Sequence, residues 1–169
     1  MKTYCFTVTW FMLLIICISN AAAQKKTIIL VRHAEKETSA MTDTSDPVLS
    51  TDGAQRAERL RKLIGKYRPG AVFSTDYKRT RATAGPIAKT RRVVVEIYDP
   101  KNNADLIDRI MKSRTKRFVV VGHSNTIPDL ANLLTKKELF KNLDDAEYGV
   151  IWVIRLKDGR VKKTEILQY

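Results

Sequence analysis

The stretch TIILVRHAEK, at residues 27–36, decides the fold of this chain. Five apolar or β-branched residues run directly into an arginine, a histidine and a glutamate. A continuous apolar run of this length predicts a strand that is buried on both faces, as in parallel sheets. In open α/β sheets, ligands bind beyond the carboxyl ends of the strands. Arg32 and His33 therefore stand where a binding site is expected, unless they simply begin a solvated loop.

A second stretch of the same design favours the binding site. Residues 117–124 read RFVVVGHS, so this buried strand also ends on a histidine, His123. The chain contains only two histidines, His33 and His123. Because cations and imidazoles are poor packing material, their placement at two strand ends indicates a functional role.

The remaining pattern predicts a fold of the α/β class. Short apolar runs alternate with segments that carry apolar residues at helical spacing, and no internal repeat is present. This alternation predicts three α/β/α layers, with a mostly parallel sheet and helices on both faces. We expect strands at residues 71–74, 92–98, 118–121, 148–156 and 161–167 after the first one. The Asp158-Gly159 pair between the last two predicts a C-terminal hairpin.

The formal net charge of +13 on 169 residues predicts an anionic partner. The length fits one domain of ordinary size. The basic residues are dispersed, with no zinc-finger spacing and no interleaved aromatics, which argues against a nucleic acid as the partner. A phosphorylated substrate, another polyanion or an anionic surface remains.

Residues 1–23 read as a secretory signal. Lys2 precedes a short apolar core, and an Ala-Ala-Ala site follows, which predicts cleavage after Ala23 and a mature domain at residues 24–169. The core is too short for a comfortable membrane span, so we expect export, periplasmic or secreted, without stable membrane insertion. An uncleaved anchor is the alternative, whereas the bulky Ile16 before Cys17 argues against lipidation at that cysteine. Cys5 is the other cysteine, so the mature chain has no disulfide.

Three strand ends project toward one edge of the predicted sheet and bring together basic and nucleophilic groups. They carry Arg32-His33, the segment at residues 76–81, and His123. Arginines bind phosphate through their planar fork, and a neutral imidazole can attack phosphorus to form a phosphohistidine. A metal site built from both histidines and Glu35 is the competitor, but an adjacent arginine repels cations. We therefore expect neither a metal nor another cofactor.

Several motifs resemble those of the histidine phosphatase superfamily, the phosphoglycerate-mutase-like group. LVRHAE at residues 30–35 is similar to its R-H signature, and STDYKRTRATA at residues 74–84 resembles its S-x-x-x-x-R-[AT]-x-x-T-A segment. VGHS at residues 121–124 resembles its G-H motif. The stretch at residues 46–53 resembles the L-[ST]-x-x-G that opens the first helix of the family. The motifs occur in the family's order across the mature chain.

The resemblance implies a role for each matched residue. His33 would be the phosphorylated nucleophile, Arg32 and Arg79 would hold the phosphate, and His123 would complete the pocket with help from the backbone of Ser124. Larger members place a general acid after the third strand. Here Asp99 is the better candidate for that acid and Glu35 the second, while short phosphohistidine phosphatases of the family lack an obvious one.

The sequence thus predicts a small exported phosphatase. It would cleave a phosphomonoester or phosphoramidate through a phosphohistidine on His33, acting on a small phosphorylated compound or a phosphoprotein. The alternative is a binding module that holds a phosphorylated ligand or polyanion in the same basic pocket without turnover. A mutase is disfavoured, because the chain has no room for the long insertions that close over a sugar phosphate.

Overall fold

The computed structural model describes residues 24–39, 43 and 45–169, so the predicted signal at residues 1–23 lies outside the described residues. The strands are β1 (Lys25–Arg32), β2 (Ala71–Ser74), β3 (Val95–Ile97), β4 (Arg117–Gly122), β5 (Val150–Lys157) and β6 (Arg160–Gln168). The helices are α1 (Thr51–Ile64), α2 (Lys78–Arg91), α3 (Asn103–Lys112) and α4 (Thr126–Thr135). Within this described part, no helix is long and apolar enough to cross a membrane.

One six-stranded sheet in the order β3-β2-β4-β1-β5-β6 forms the middle layer. β1 pairs in parallel with β4, which pairs in parallel with β2, and β2 with β3. β5 and β6 complete the sheet as an antiparallel hairpin. Arg32 is the register partner of Gly122 across the β1–β4 pair, so these two strands end side by side. The residues that follow them, His33 and His123, therefore emerge from adjacent positions at one edge.

Alternate side chains of β1 enter two separate hydrophobic cores. Ile28 and Leu30 pack on one face with residues of α3 and α4. Ile29 and Val31 pack on the other face with residues of α1 and α2. All four side chains are fully buried, because helices cover both faces of the sheet. The predicted three-layer α/β fold with a mostly parallel sheet is confirmed.

The C-terminal hairpin forms as its turn residues predict, whereas the third strand is shorter than predicted. Asp158 and Gly159 both adopt positive φ, at 52° and 70°, as a two-residue type I′ turn requires. The predicted strand at residues 92–98 is only three residues long in the structure. Arg92 takes the left-handed conformation that ends α2, and Val94 is exposed. An edge strand is paired on one side alone, so an apolar run there need not be hydrogen-bonded along its length.

The start of α1 is locked against the loop that follows β1. Ser50 caps the helix by accepting a hydrogen bond from the backbone N–H of Gly53. A Cβ on Gly53 would lie 2.1 Å from the carbonyl oxygen of Glu35, so only glycine fits at this position. The backbone of Ser50 also donates to that carbonyl at 3.0 Å. These contacts fix the path of the chain just beyond His33.

Candidate active site

His33 is held at the end of β1 with one ring nitrogen committed to the backbone. The backbone N–H of His33 donates to the carbonyl of Gly122 at 2.9 Å, and the side chain is almost fully buried. Nδ1 lies 2.7 Å from the carbonyl oxygen of Ala34. Because a carbonyl only accepts, Nδ1 carries the proton in the neutral ring, and Nε2 keeps its lone pair. Nε2 in turn accepts a hydrogen bond from Arg79 Nε at 3.3 Å.

The surroundings keep His33 uncharged at neutral pH. Burial lowers the pKa of His33 from 6.5 to about 3, and the positive charges of Arg79 and Arg32 and the ring of His123 act in the same direction. The hydrogen bond to Ala34 opposes them without reversing the shift. An imidazole with this pKa is unprotonated at pH 7, as a nucleophile must be.

Arg79 occupies the first turn of α2 and reaches back over the edge of the sheet. Its guanidinium lies 4.5 Å from the centre of the Tyr77 ring and 3.6 Å from a carboxylate oxygen of Asp46. Its Nη1 atom is buried without a hydrogen-bond partner. Thr83, one turn further on, accepts from the N–H of Ala34 and donates to the Arg79 carbonyl. This threonine thus ties the first turn of α2 to the loop that carries His33.

Arg32 is oriented by a segment far away in the sequence. Its Nη1 donates to the carbonyl oxygens of Asp144 and Glu147 at 2.7 and 2.9 Å, and its guanidinium stacks 4.1 Å from the centre of the Tyr148 ring. The Nε atom is buried without a partner. A charged donor in that condition is costly unless a ligand accepts from it. With Arg79 Nη1, the site therefore holds two unsatisfied cationic N–H groups, as an anion-binding site does.

His123 faces His33 across the site. The two ring centres are 5.5 Å apart in an edge-to-face arrangement, and Nε2 of His123 is hydrogen-bonded to Thr75 Oγ1 at 2.9 Å. The Tyr77 ring packs edge-on against it at 4.9 Å. Burial lowers the pKa of His123 to about 4, with the charges of Arg79 and Arg32 adding to the effect. Both imidazoles are therefore neutral at pH 7.

A cavity of about 410 Å³ opens at this edge of the sheet. It is lined by Arg32, His33, Lys36, Tyr77, Arg79, Pro100, Lys101, His123, Ser124, Asn125, Thr126 and Asp145. Four of these side chains are cationic and only Asp145 is anionic. The structure thus brings together all the residues predicted to bind phosphate, Ser124 included, around one cavity.

The two carboxylates predicted as candidates for the general acid each have a partner in the protein. The carboxylate of Asp99 accepts from the backbone N–H of Lys101 at 2.8 Å, which closes its own turn, and it lines a neighbouring cavity that shares Tyr77 and Lys101 with the site. Both carboxylate oxygens of Glu35 accept hydrogen bonds from the guanidinium of Arg56, with which Glu35 forms an ion pair. That pairing also removes Glu35 from the metal site considered as the competitor. Within the described residues, no three His, Cys, Asp or Glu side chains form a group able to hold a metal ion.

Several residues at the site carried no recognisable signal in the sequence. Tyr148 and Asp145 lie in a polar connection before β5 that shows no periodicity. Both lie against Arg32, and the Tyr148 ring also lies 6.0 Å from the ring of His33. Lys36 and Lys101 stand in loops at the ends of different strands. Thr75 is different, because it lies inside the segment quoted for the family resemblance and could have been singled out there.

The resemblance noted in the sequence is confirmed by a family model. Residues 28–100 match the histidine phosphatase superfamily (branch 1), a span that includes Arg32, His33 and Arg79. No curated protein matches the sequence.

Solved structures share the fold along most of the chain. The alpha-ribazole phosphatase of Shigella flexneri has a TM-score of 0.70 at 13% identity, with 85% of this chain and 96% of that chain covered. The protein histidine phosphatase SixA, complexed with tungstate, has a TM-score of 0.68 at 13% identity, with coverage of 84% and 96%. A mycobacterial glucosyl-3-phosphoglycerate phosphatase has a TM-score of 0.63 at 14% identity, with coverage of 86% and 98%. At these identities the likeness is one of fold.

Proposed function

We propose that this chain, which matches the histidine phosphatase superfamily, is a metal-independent phosphatase that cleaves a phosphomonoester or phosphoramidate through a phosphohistidine on His33. One observation carries the proposal. The unprotonated Nε2 of His33 accepts from Arg79 at 3.3 Å, in a cavity lined by His123 and Arg32. A nucleophile and the charges that hold its target thus share one space.

The reaction would proceed in two steps. In the first, the Nε2 lone pair of His33 attacks phosphorus, the P–N bond forms, and the bond to the leaving group breaks with its electron pair passing to that group. The leaving group takes a proton from solvent. In the second, water attacks phosphorus, the P–N bond breaks, and the water proton is released to solvent. Inorganic phosphate leaves and His33 returns to its neutral form.

The basic residues would stabilise the charge that spreads over the phosphoryl oxygens in both transition states. Arg32 Nε and Arg79 Nη1 each lack a hydrogen-bond acceptor among the described residues, although Asp46 lies 3.6 Å from Arg79 Nη1. These donors are fixed before the reaction, so no reorganisation cost falls on the chemical step. A bound dianion would also raise the pKa of His123 and so recruit further positive charge to the site.

The position of the carboxylates bears on the leaving group. Asp145 is the one carboxylate in the lining, and its side chain is fully exposed at the rim, 3.9 Å from Arg32 Nη2. A buried acid poised to protonate an alkoxide is absent from that lining. The site therefore suits substrates with good leaving groups, such as phosphoramidates and activated esters.

The test is hydrolysis of p-nitrophenyl phosphate by the purified protein in the presence of EDTA. We expect turnover, inhibition by vanadate, and complete loss in His33→Ala, with Lys66→Ala, in the 3₁₀ turn Gly65–Tyr67 that follows α1, as the control. Rapid acid-free quenching with labelled substrate should trap a phosphorylated protein that His33→Ala does not form. Activity that requires zinc would support the metal site, and phosphate binding without any turnover would support the binding module.

We also propose that the protein is exported and cleaved after Ala23. Gln24 is the first described residue, and its backbone is anchored to the β5–β6 turn, with its N–H donating to Asp158 Oδ1 at 2.9 Å and its carbonyl accepting from Asp158 N at 3.0 Å. The first residue of the predicted mature chain is thus held by the hairpin of the domain. N-terminal sequencing of protein recovered from outside the cytoplasm should read Gln-Lys-Lys-Thr, whereas a retained leader would contradict cleavage.

A further inference from the structure

We propose that the end of the sheet opposite the phosphate cavity binds the surface of an anionic lipid bilayer. The binding residues are Lys25, Arg117, Lys157 and Arg160, which form a basic row across four adjacent strands and are all exposed. A protein bound through this row would hold its phosphate cavity away from the lipid. The inference concerns a second surface, so it does not depend on the proposed phosphatase activity.

The strand register places the four cations of the basic row side by side. Lys25 of β1 pairs with Lys157 of β5, and Lys157 pairs with Arg160 of β6. Arg117 of β4 pairs with Thr27, two residues after Lys25, so Arg117 and Lys25 project from the same face of the sheet. β1 and β4 both run from this end toward the site, so the row and the cavity lie at opposite ends.

No cation of the basic row has a carboxylate partner among the residues that the structure describes. Residues 1–23, 40–42 and 44 contain no aspartate or glutamate, so the rest of the chain supplies no partner either. Asp158, in the hairpin turn beside the row, accepts from the backbone N–H of Gln24 at 2.9 Å. Even with Asp158 counted, the positive charges of the row outnumber the negative ones by four to one.

The basic row works against folding, which indicates a role outside the fold. Like charges directly opposite each other on paired strands are destabilising, and here Lys157 has a cation opposite it on each side. The last turns of α2 and α3 also carry basic residues, but the helix dipole stabilises cations there. Strands have only small net dipoles, so this explanation does not extend to the row.

The positive surface continues from the basic row onto the end of α4. Lys136 and Lys137 line a cavity of about 340 Å³ together with Arg160, and both lysines are exposed. The carboxylate that follows them, on Glu138, accepts a hydrogen bond from the side chain of Asn132 at 3.3 Å. An extended positive surface of this kind suits a surface of many anions better than a single small ligand.

The predicted leader identifies a bilayer as the source of those anions. Residues 1–23 carry the apolar core and join the domain at Gln24. Gln24 is held at this same end of the sheet, where its side chain also donates to the carbonyl of Ser113 at 3.4 Å. The basic row would therefore face the membrane while the leader is in it, and electrostatic attraction would hold the domain there after cleavage.

A nucleic acid fits this end of the molecule less well. Single strands bind on basic grooves in which aromatic rings stack against the bases. Among the described residues the only exposed aromatic side chain is that of Tyr77, which lines the phosphate cavity at the other end. The basic row thus offers charge without a stacking surface.

The test compares vesicles of phosphatidylcholine alone with vesicles that also contain about one third phosphatidylglycerol. The exported protein is used in its processed form, and the readout is the ratio of its two partition coefficients, in which any apolar contribution from a retained leader cancels. Each lysine or arginine near an anionic surface strengthens binding about fivefold. Lys157→Gln/Arg160→Gln should therefore lower the ratio about twentyfold, and added salt should lower it for the wild type.

The matched control is Arg59→Gln/Lys141→Gln, which removes the same charge from exposed positions away from the basic row. Arg59 lies within α1, and Lys141 lies two residues before Leu143, whose N–H donates to the carbonyl of Ser124 at 2.9 Å beside the cavity. Because the attraction falls off within a Debye length, this variant should keep the ratio within about twofold of the wild type.

Urea unfolding separates lost binding from lost structure. Lys157→Gln/Arg160→Gln should be at least as stable as the wild type, because it removes repulsion between paired strands. A less stable variant would mean that the basic row serves the fold, and would contradict the inference. Equal binding to both kinds of vesicle, or an equal loss in the control variant, would overturn it. Retardation of single-stranded DNA without a preference for anionic vesicles would assign the row to nucleic acid instead.

Discussion

Replacing His33 by glutamine is expected to remove an acid sensitivity that this buried imidazole imposes on the fold. In the folded protein the pKa of His33 is lowered to about 3, first by burial and then by the neighbouring cationic groups. In the unfolded chain it should return to about 6.5. Between these two values the unfolded state binds a proton that the folded state does not. Stability therefore falls as the pH drops below about 6.5, and the loss is complete near pH 3.

The size of the effect follows from the burial of the ring. His33 is only 4% exposed, so its shift is not screened by solvent. The pKa of the unfolded imidazole lies about 1.5 units above pH 5. At that pH the free energy of unfolding is therefore about 2 kcal/mol lower than at pH 7.5. Glutamine has no titration in this range. Between pH 7.5 and pH 5, the wild type should therefore lose about 2 kcal/mol more unfolding free energy than His33→Gln does.

Urea unfolding at pH 7.5 and 5.0, followed by the fluorescence of the buried Trp152, measures this difference. Lys162→Gln serves as a control for altered net charge and should follow the wild-type pH dependence. Proton NMR gives a second readout, because the chain has only two histidines and both ring signals should titrate well below pH 6.5. An unchanged pH dependence in His33→Gln, or a ring that titrates near 6.5, would refute the claim that His33 is held neutral by its surroundings.

Three further outcomes follow from the packing around the site. Gly53→Ala should cost about 3 kcal/mol or more in urea unfolding, because its Cβ would meet a backbone carbonyl at 2.1 Å, whereas Gly65→Ala meets nothing within 4 Å and should be nearly neutral. Asp99→Asn should leave the ratio of rates for good and poor leaving groups within about twofold, since the side chain closes its own turn, and selective slowing of poor leaving groups would restore Asp99 as the acid. Tyr148→Ala should weaken vanadate inhibition several-fold by freeing Arg32, with Tyr148→Phe close to wild type, and equal effects of the two would point to the hydroxyl instead of the ring.

The parts of the site that could be predicted from the sequence are those that local signals specify. An apolar run predicts a buried strand, and the residue after it must emerge at the carboxyl end, so His33 and His123 could be placed at one edge. Arg79 could be placed because its segment resembles a family motif. The same logic predicts Asp99 at this edge, where it lines a neighbouring cavity, but the direction of a turn side chain is set by local contacts, here the backbone N–H of Lys101.

By itself, the sequence determined the layered fold, the hairpin and the four residues that converge on one basic cavity. Those features depend on strand order and on hydrophobic periodicity, which neighbours in the chain carry. Only the tertiary structure decided how Arg32 is aimed, because the carbonyls that hold it belong to residues 112 and 115 positions away. It likewise decided that Glu35 pairs with Arg56 and that Lys36 and Lys101 flank one cavity. Contacts between distant loops leave no periodicity to read, so the surroundings of the nucleophile emerge only once the chain has folded.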